Sequence, residues 1–217
     1  MSQNQLKPIS SLLGISGVRA HFIGLIPGVD VRVPRGEAMA RLEPFHRNLL
    51  RTAAGDHHLV TAEQVHGSVV AIVNSPREEP VSGADGLVTM TRGLTLGIYV
   101  ADCAPVWIVA RDGSAGALLH SGKKGTELGI TREGIRILTV ETGKPADEFE
   151  VVIGPCIRPP CYEVDFSKEI ARQARDAGIR QIHDEGVCTA CNPEHYYSYR
   201  REKGLTGRML ATLTLIP

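Results

Sequence analysis

Apolar positions in this chain gather into short, strand-length runs through its middle. HHLVTAEQ (57–64), SVVAIV (68–73), GLVTM (86–90), LTLGIYV (94–100), APVWIVA (104–110) and GALLH (116–120) read as strands, and so do EVVIG (150–154) and the closing GRMLATLTLI (207–216). Helical spacing replaces alternation in four places. GEAMARLEPFHRNLLRTAAG (36–55) predicts an amphipathic helix that Pro44 bends or interrupts. GTELGITREGIRILTVETG (125–143) carries a helical stripe at Ile130, Ile137 and Leu138. SKEIARQARDAG (167–178) predicts a helix capped by Ser167, with Gly178 beyond its end. NPEHYYSYRREKG (192–204) predicts a helix with Asn192 as N-cap and Pro193 in its first turn. Residues 34–36 read as a turn, and NSPREEPVSG (74–83), dense in charge and proline, as a surface loop. Central strands with helices between them predict an α/β (α+β) fold, a mixed α/β sandwich with strands flanked by helices. With no repeat and no long linker, a single domain over 1–217 is expected.

Bulk composition narrows the function classes. The 217 residues hold 24 Lys plus Arg against 24 Asp plus Glu, so no net charge argues for a nucleic acid or an anionic membrane. No run approaches the ~20 apolar residues of a membrane helix, and the N-terminal stretch does not read as a signal peptide. A cytoplasmic location is expected, with the five cysteines reduced; oligomerisation stays open.

Candidate chemistry sits at breaks between the strand runs. His66 lies in QVHG, Cys103 in ADCAP, and His120 in LLHSG, the last 17 positions beyond Cys103. Two imidazoles and one thiolate suit zinc or copper better than magnesium or calcium, and three ligands leave a position open for water or substrate. Asp85 in GADG is either a turn residue or a carboxylate that orients water or moves protons near the metal, and Asp102 either caps a turn or supports the ligands. Lys123 and Lys124 follow His120 in a glycine-flanked turn, and Arg158 lies in a proline-rich loop; these are the charges available to an anion. Cys156 and Cys161, five apart, lack a standard zinc spacing and read as structural. Cys188 and Cys191 form a lone C-x-x-C, either half of a zinc site or a redox pair, with an ordinary helix-entry segment favoured. Arg200 and Arg201 share the last predicted helix and could reach an anion.

In order, QVHG, GADGLVT, ADCAPVWIV, LHSGKKGTELGI, IGPCIRPPCYEV and CTACNPEHYYSYRREKGLTGRM span residues 64–209. This set resembles the laccase-domain family of purine nucleoside phosphorylases, also labelled multicopper polyphenol oxidases. The resemblance implies an α/β sandwich, metal ligands at His66, Cys103 and His120, and zinc or in some cases copper. It implies phosphorolysis of adenosine, inosine and methylthioadenosine, with purine nucleoside and phosphate as partners, and adenosine deamination. Where the family has a segment like HAGWRG, this chain has HSGKKG, so Lys123 and Lys124 replace an aromatic ring and the planar fork of an arginine. Three other classes compete: a Cys–His thiol hydrolase or deamidase built on Cys103 and His120, a copper polyphenol oxidase, and a non-catalytic metal-binding domain. The oxidase is disfavoured because a multicopper cluster draws on His-x-His pairs, and the eight histidines form none.

Overall fold

The structure, a computed structural model, describes residues 5–55 and 57–217. Two mixed sheets form it. In the first sheet the order is β1 (Leu6–Pro8), β2 (Val18–Ile23), β11 (Met209–Leu215), β6 (Leu94–Val100) and β3 (His58–Thr61), antiparallel except for the β3–β6 pair. In the second it is β10 (Gln181–Asp184), β9 (Phe149–Ile153), β7 (Ala104–Ala110), β8 (Gly116–Ser121), β5 (Gly86–Thr89) and β4 (Val70–Ile72), antiparallel inside and parallel at both edges.

The runs without alternation became the central strands, because both of their faces are covered. Along β7, Trp107 and Val109 join a core shared with Leu96, Ile98 and Leu213 of the first sheet. Val106 and Ile108 point the other way, into a second core with Leu138 of α3 (Ile130–Thr142) and Ile170 of α4 (Phe166–Asp176). A strand buried on both sides reads as a continuous apolar run. The Trp107 indole Nε1 donates to the carbonyl of Thr212 at 2.9 Å, a buried bond from the second sheet to the first. Helix α1 (Arg35–Ala54) packs on the first-sheet side, with the His46 ring 5.7 Å from that of Tyr99.

Several expectations need correction. Pro44 does not interrupt α1, which runs through it; Ala40, whose carbonyl loses its helical partner there, is exposed. Residues 34–36 lead into that helix, with Pro34 as its N-cap. The 125–143 stripe is two helices, α2 (Lys123–Glu127) and α3, because Gly129 between them turns left-handed at φ 80°. Asp165, not Ser167, caps α4, accepting from the Lys168 N–H, while Ser167 is buried. The helix expected over 192–204 is absent; the segment is a series of turns. Asn192 caps no helix; its side-chain Nδ2 donates to the Cys188 carbonyl, and Tyr197 is anchored by its hydroxyl to the Ile26 backbone. The Tyr197–Ile26 pair, 171 positions apart, is a tertiary restraint that overrides the local preference. Strands β1, β2 and β10 lie outside the runs the pattern marks.

Candidate metal centre

Both loops that carry the cysteine and the first histidine are crossings from one sheet to the other. His66 lies between β3 and β4, and Asp102–Cys103 between β6 and β7. His120 lies on β8, opposite Pro105 in the register and on the face of Leu118. At this edge of the sandwich the three ligand atoms come within 4.8 Å of one another. The two imidazoles meet edge to face, with centroids 4.9 Å apart. Two ligands of one zinc, each ~2.0–2.3 Å from it, fit that spacing. The donor set and its geometry therefore fit a mononuclear site with one open position. Gly122 follows His120 and Ser121; a Cβ there would stand 2.5 Å from the Cys103 sulfur, so the thiol occupies the room that glycine leaves.

Asp85 organises this arrangement from beneath, fully buried. Its Oδ1 accepts from the His66 N–H at 2.9 Å and meets His120 Nδ1 at 2.8 Å; its Oδ2 accepts from the N–H groups of Val65 at 3.1 Å and Gly67 at 2.6 Å. The bond at Nδ1 leaves Nε2 of His120 to face the ligands. Burial works to raise the Asp85 pKa, but the bonds from His120 and from the Gly67 and His66 amides outweigh it, so the carboxyl stays below its ordinary value. Burial likewise opposes ionisation of Cys103, yet the flanking His120 and His66 rings draw its thiol down. Burial also opposes charge on His120, and Asp85 and Cys103 together draw its pKa up.

Asp102 ties down the far side. Its carboxylate accepts from the hydroxyls of Thr189 at 2.6 Å and Ser198 at 3.1 Å and from the Arg200 N–H at 2.7 Å. Gln64 pairs with the Tyr99 backbone through both ends of its amide, at 2.6 and 2.9 Å. Among the described residues, Gln64, His66 and Asp102 are three of the four non-glycine positions with positive φ, at 65°, 60° and 84°. Such backbone is sparsely populated and persists where the surroundings hold it.

The centre opens into a cavity of about 810 Å³. Lys123 lines it and Lys124 does not. Arg158 is also elsewhere, held by Asp184 (Nη1–Oδ2 3.0 Å) and by the Ser167 hydroxyl. Cations that the sequence reading did not single out, Arg35, Lys203 and Arg208, share the cavity with Arg200, and Tyr99, Tyr162 and Tyr199 give it aromatic walls. Arg35 and Arg208 sit far from the ligands in sequence, and no local pattern marks them. Arg201 turns away, towards the Ala190 carbonyl and Glu202. No helix among the described residues is long and apolar enough to cross a membrane.

A cluster of three donors that could hold a metal ion, at the mouth of a two-sheet sandwich, defines the class of α/β protein to which the chain is compared. The profile of the family described as multi-copper polyphenol oxidoreductase laccase matches residues 33–171 and 164–216, and the chain belongs to that family. A curated relative, purine nucleoside phosphorylase YlmD of Geobacillus stearothermophilus, is 30% identical over 192 residues, 70% of each chain. Purine nucleoside phosphorylase Rv2149c of Mycobacterium tuberculosis is 28% identical over 178 residues, again 70% of each. The crystal structure of YlmD from Geobacillus stearothermophilus has a TM-score of 0.80 at 25% identity, over 94% of both chains. A Bacillus licheniformis hypothetical protein, YfiH, has a TM-score of 0.81 at 23% identity, over 91% of this chain and 92% of its own, and shares the fold.

Proposed function

We propose that this chain, as one domain over 1–217, is a metal-dependent cytoplasmic purine nucleoside phosphorylase that acts on adenosine, inosine and methylthioadenosine and also deaminates adenosine. The observation that carries the reading is the convergence of His66, Cys103 and His120 at a cavity with cationic and aromatic walls. The names of the curated relatives support the substrate class. His66, Cys103 and His120 would hold the ion, zinc by the borderline character of the set, with copper also admitted by its thiolate. When bound, zinc supplies Lewis acidity and lowers the pKa of a water toward ~7.

The chain's own residues do the rest. Asp85 acts through His120 and the 65–67 amides, so it is a positioning residue; with both oxygens engaged twice it has little capacity to shuttle a proton. Asp102 positions the 189–200 wall in the same way. Lys123, Arg35 and Arg208 are the cations assigned to phosphate, and the tyrosines to the flat faces of the base. In phosphorolysis a phosphate oxygen bonds to C1′ of the ribose as the bond to the purine nitrogen breaks, giving ribose 1-phosphate and free base. In deamination water adds at C6 of adenosine and ammonia leaves, giving inosine.

The test is incubation of protein of measured metal content with adenosine, with and without phosphate, and separation of products by chromatography. Ribose 1-phosphate formed only with phosphate, and inosine formed in either case, is the expected result. Neither product from fully metallated protein would overturn the reading. A second reading, a thiol hydrolase with Cys103 as nucleophile, is favoured by one observation, the thiol drawn down between two imidazoles. Turnover that rises when the metal is chelated away would support it, because a bound ion ties up the thiolate.

A further inference from the structure

The turn just before the segment 192–204 brings together three cysteines that the first centre does not use. Cys188 and Cys191 flank the turn over 188–191, and Cys161 reaches them from the proline-rich loop after β9. Their three sulfurs lie within 4.8 Å of one another, and those of Cys161 and Cys191 are 3.0 Å apart. Cys156, fully buried, is outside the group.

We propose that Cys161, Cys188 and Cys191 form a second metal site, separate from His66–Cys103–His120, that takes a thiophilic ion, Zn²⁺, with its fourth position towards solvent. Three independent features support it. The C-x-x-C spacing of Cys188 and Cys191 is that of paired ligands in structural zinc sites. The turn that presents them is already fixed without an ion. Thr189 N–H donates to the Cys156 carbonyl at 3.1 Å, Asn192 N–H to the Thr189 carbonyl at 3.4 Å, and Asn192 Nδ2 to the Cys188 carbonyl at 2.8 Å. The Cys188 thiol donates to the Arg158 carbonyl at 3.8 Å, which holds the loop that carries Cys161 against it. A disulfide, the rival use of such thiols, would join two of the three and strand the last.

Bond lengths of ~2.3 Å place two thiolates of a tetrahedral zinc roughly 3.8 Å apart. The Cys161–Cys191 pair must open to reach that spacing, and Cys191 is exposed. The ion would join the 156–163 loop to the 188–200 segment. Both build one wall of the cavity: Tyr162 from the first, and Arg200, which lies 5.5 Å from the Tyr162 ring centre, from the second. A clip behind that wall would add to the backbone bridge between Cys156 and Cys188 that already joins the two loops.

The test uses the full chain with the first centre disabled by Cys103→Ala, purified under reducing conditions, loaded with Zn²⁺ and freed of excess. Elemental analysis should find about one zinc per chain, lost when Cys191→Ser or Cys188→Ser is added. Cobalt(II) titrated into the Cys103→Ala protein should give the strong thiolate-to-metal charge-transfer absorption of a sulfur-rich tetrahedral site, and the added serine variants should abolish it. A His66→Ala background repeats the measurement should Cys103→Ala fail to fold, with circular dichroism as the check. No zinc in either folded background, or zinc unchanged by both serine substitutions, overturns the proposal. So does a Cys161–Cys191 disulfide found by peptide mapping after thiols are blocked at lysis.

Discussion

At Asp85 one buried carboxylate faces four donors, and each oxygen takes two of them. Asp85→Asn keeps the shape but swaps an acceptor for a donor that faces N–H groups. The substitution should weaken zinc binding at the first centre by about 10- to 100-fold, the usual effect of losing the group that orients a ligating histidine. Competition against a chelating dye measures it; unchanged affinity would remove Asp85 from the support of the centre. His46 offers a different test. It is 1% exposed, neither ring nitrogen has a protein partner among the described residues, and burial pushes its pKa down to about 4. The unfolded chain takes up this proton near pH 6.5 and the folded one only near 4. Stability from this group is therefore full above 6.5 and falls as pH drops through that window, by about 3 kcal/mol in all. His46→Leu should flatten the urea-derived stability between pH 6.5 and 4 relative to wild type. Equal slopes in the two proteins would show that the ring is not held neutral.

Among the elements, the ligand-bearing loops and α2 decide the chemistry. Strands β6 and β7 appear at their expected bounds, and the break between them carries Asp102 and Cys103 because the chain there leaves one sheet for the other. That break was legible as a gap between apolar runs; its meaning was not. The two lysines of α2 were equivalent in sequence, yet only Lys123 lines the cavity. Lys123→Ala should lower phosphorolysis at least tenfold, or ~1.4 kcal/mol of transition-state stabilisation, and leave deamination nearly unchanged. Lys124→Ala should change neither. Equal losses in both activities for Lys123→Ala would point to collapse of the His120 turn, and no loss would pass the phosphate role to Arg35 and Arg208.

For the molecule as a whole, the contact between the two sheets is what keeps the ligands together, since two of the three sit on chain crossings between them. Trp107 is central to that contact, with 0% exposure and an indole bond to Thr212 across the interface. Trp107→Phe removes the donor, leaves a buried carbonyl one bond short and opens a void, at a cost of about 2 kcal/mol or more. Urea denaturation should show that loss; a variant as stable as wild type would mean that the sheets are held elsewhere. Zinc bound only by the folded chain adds roughly 2.7 kcal/mol at a free concentration 100 times its Kd. The Tm of either protein should therefore fall on chelation.

The sequence by itself determined the central strands, three of the four helical stripes and the residue types that the structure then brings together at the candidate centre. Those signals are local: apolar runs, a 3.6-residue period, and side chains whose chemistry does not depend on where they fold. Tertiary structure alone decided the sheet order, the edge strands β1, β2 and β10, and the loss of the 192–204 helix to bonds from Ile26 and Asp102. It also decided which cations meet the cavity. Arg158 matched the sequence criteria but pairs with Asp184, while Arg35 and Arg208, 173 positions apart, reach the cavity from opposite ends of the chain. Cys161 and Cys191 are 30 positions apart yet 3.0 Å between sulfurs. Proximity across such separations comes from packing the two sheets and the loops at their ends, and no residue spacing encodes it.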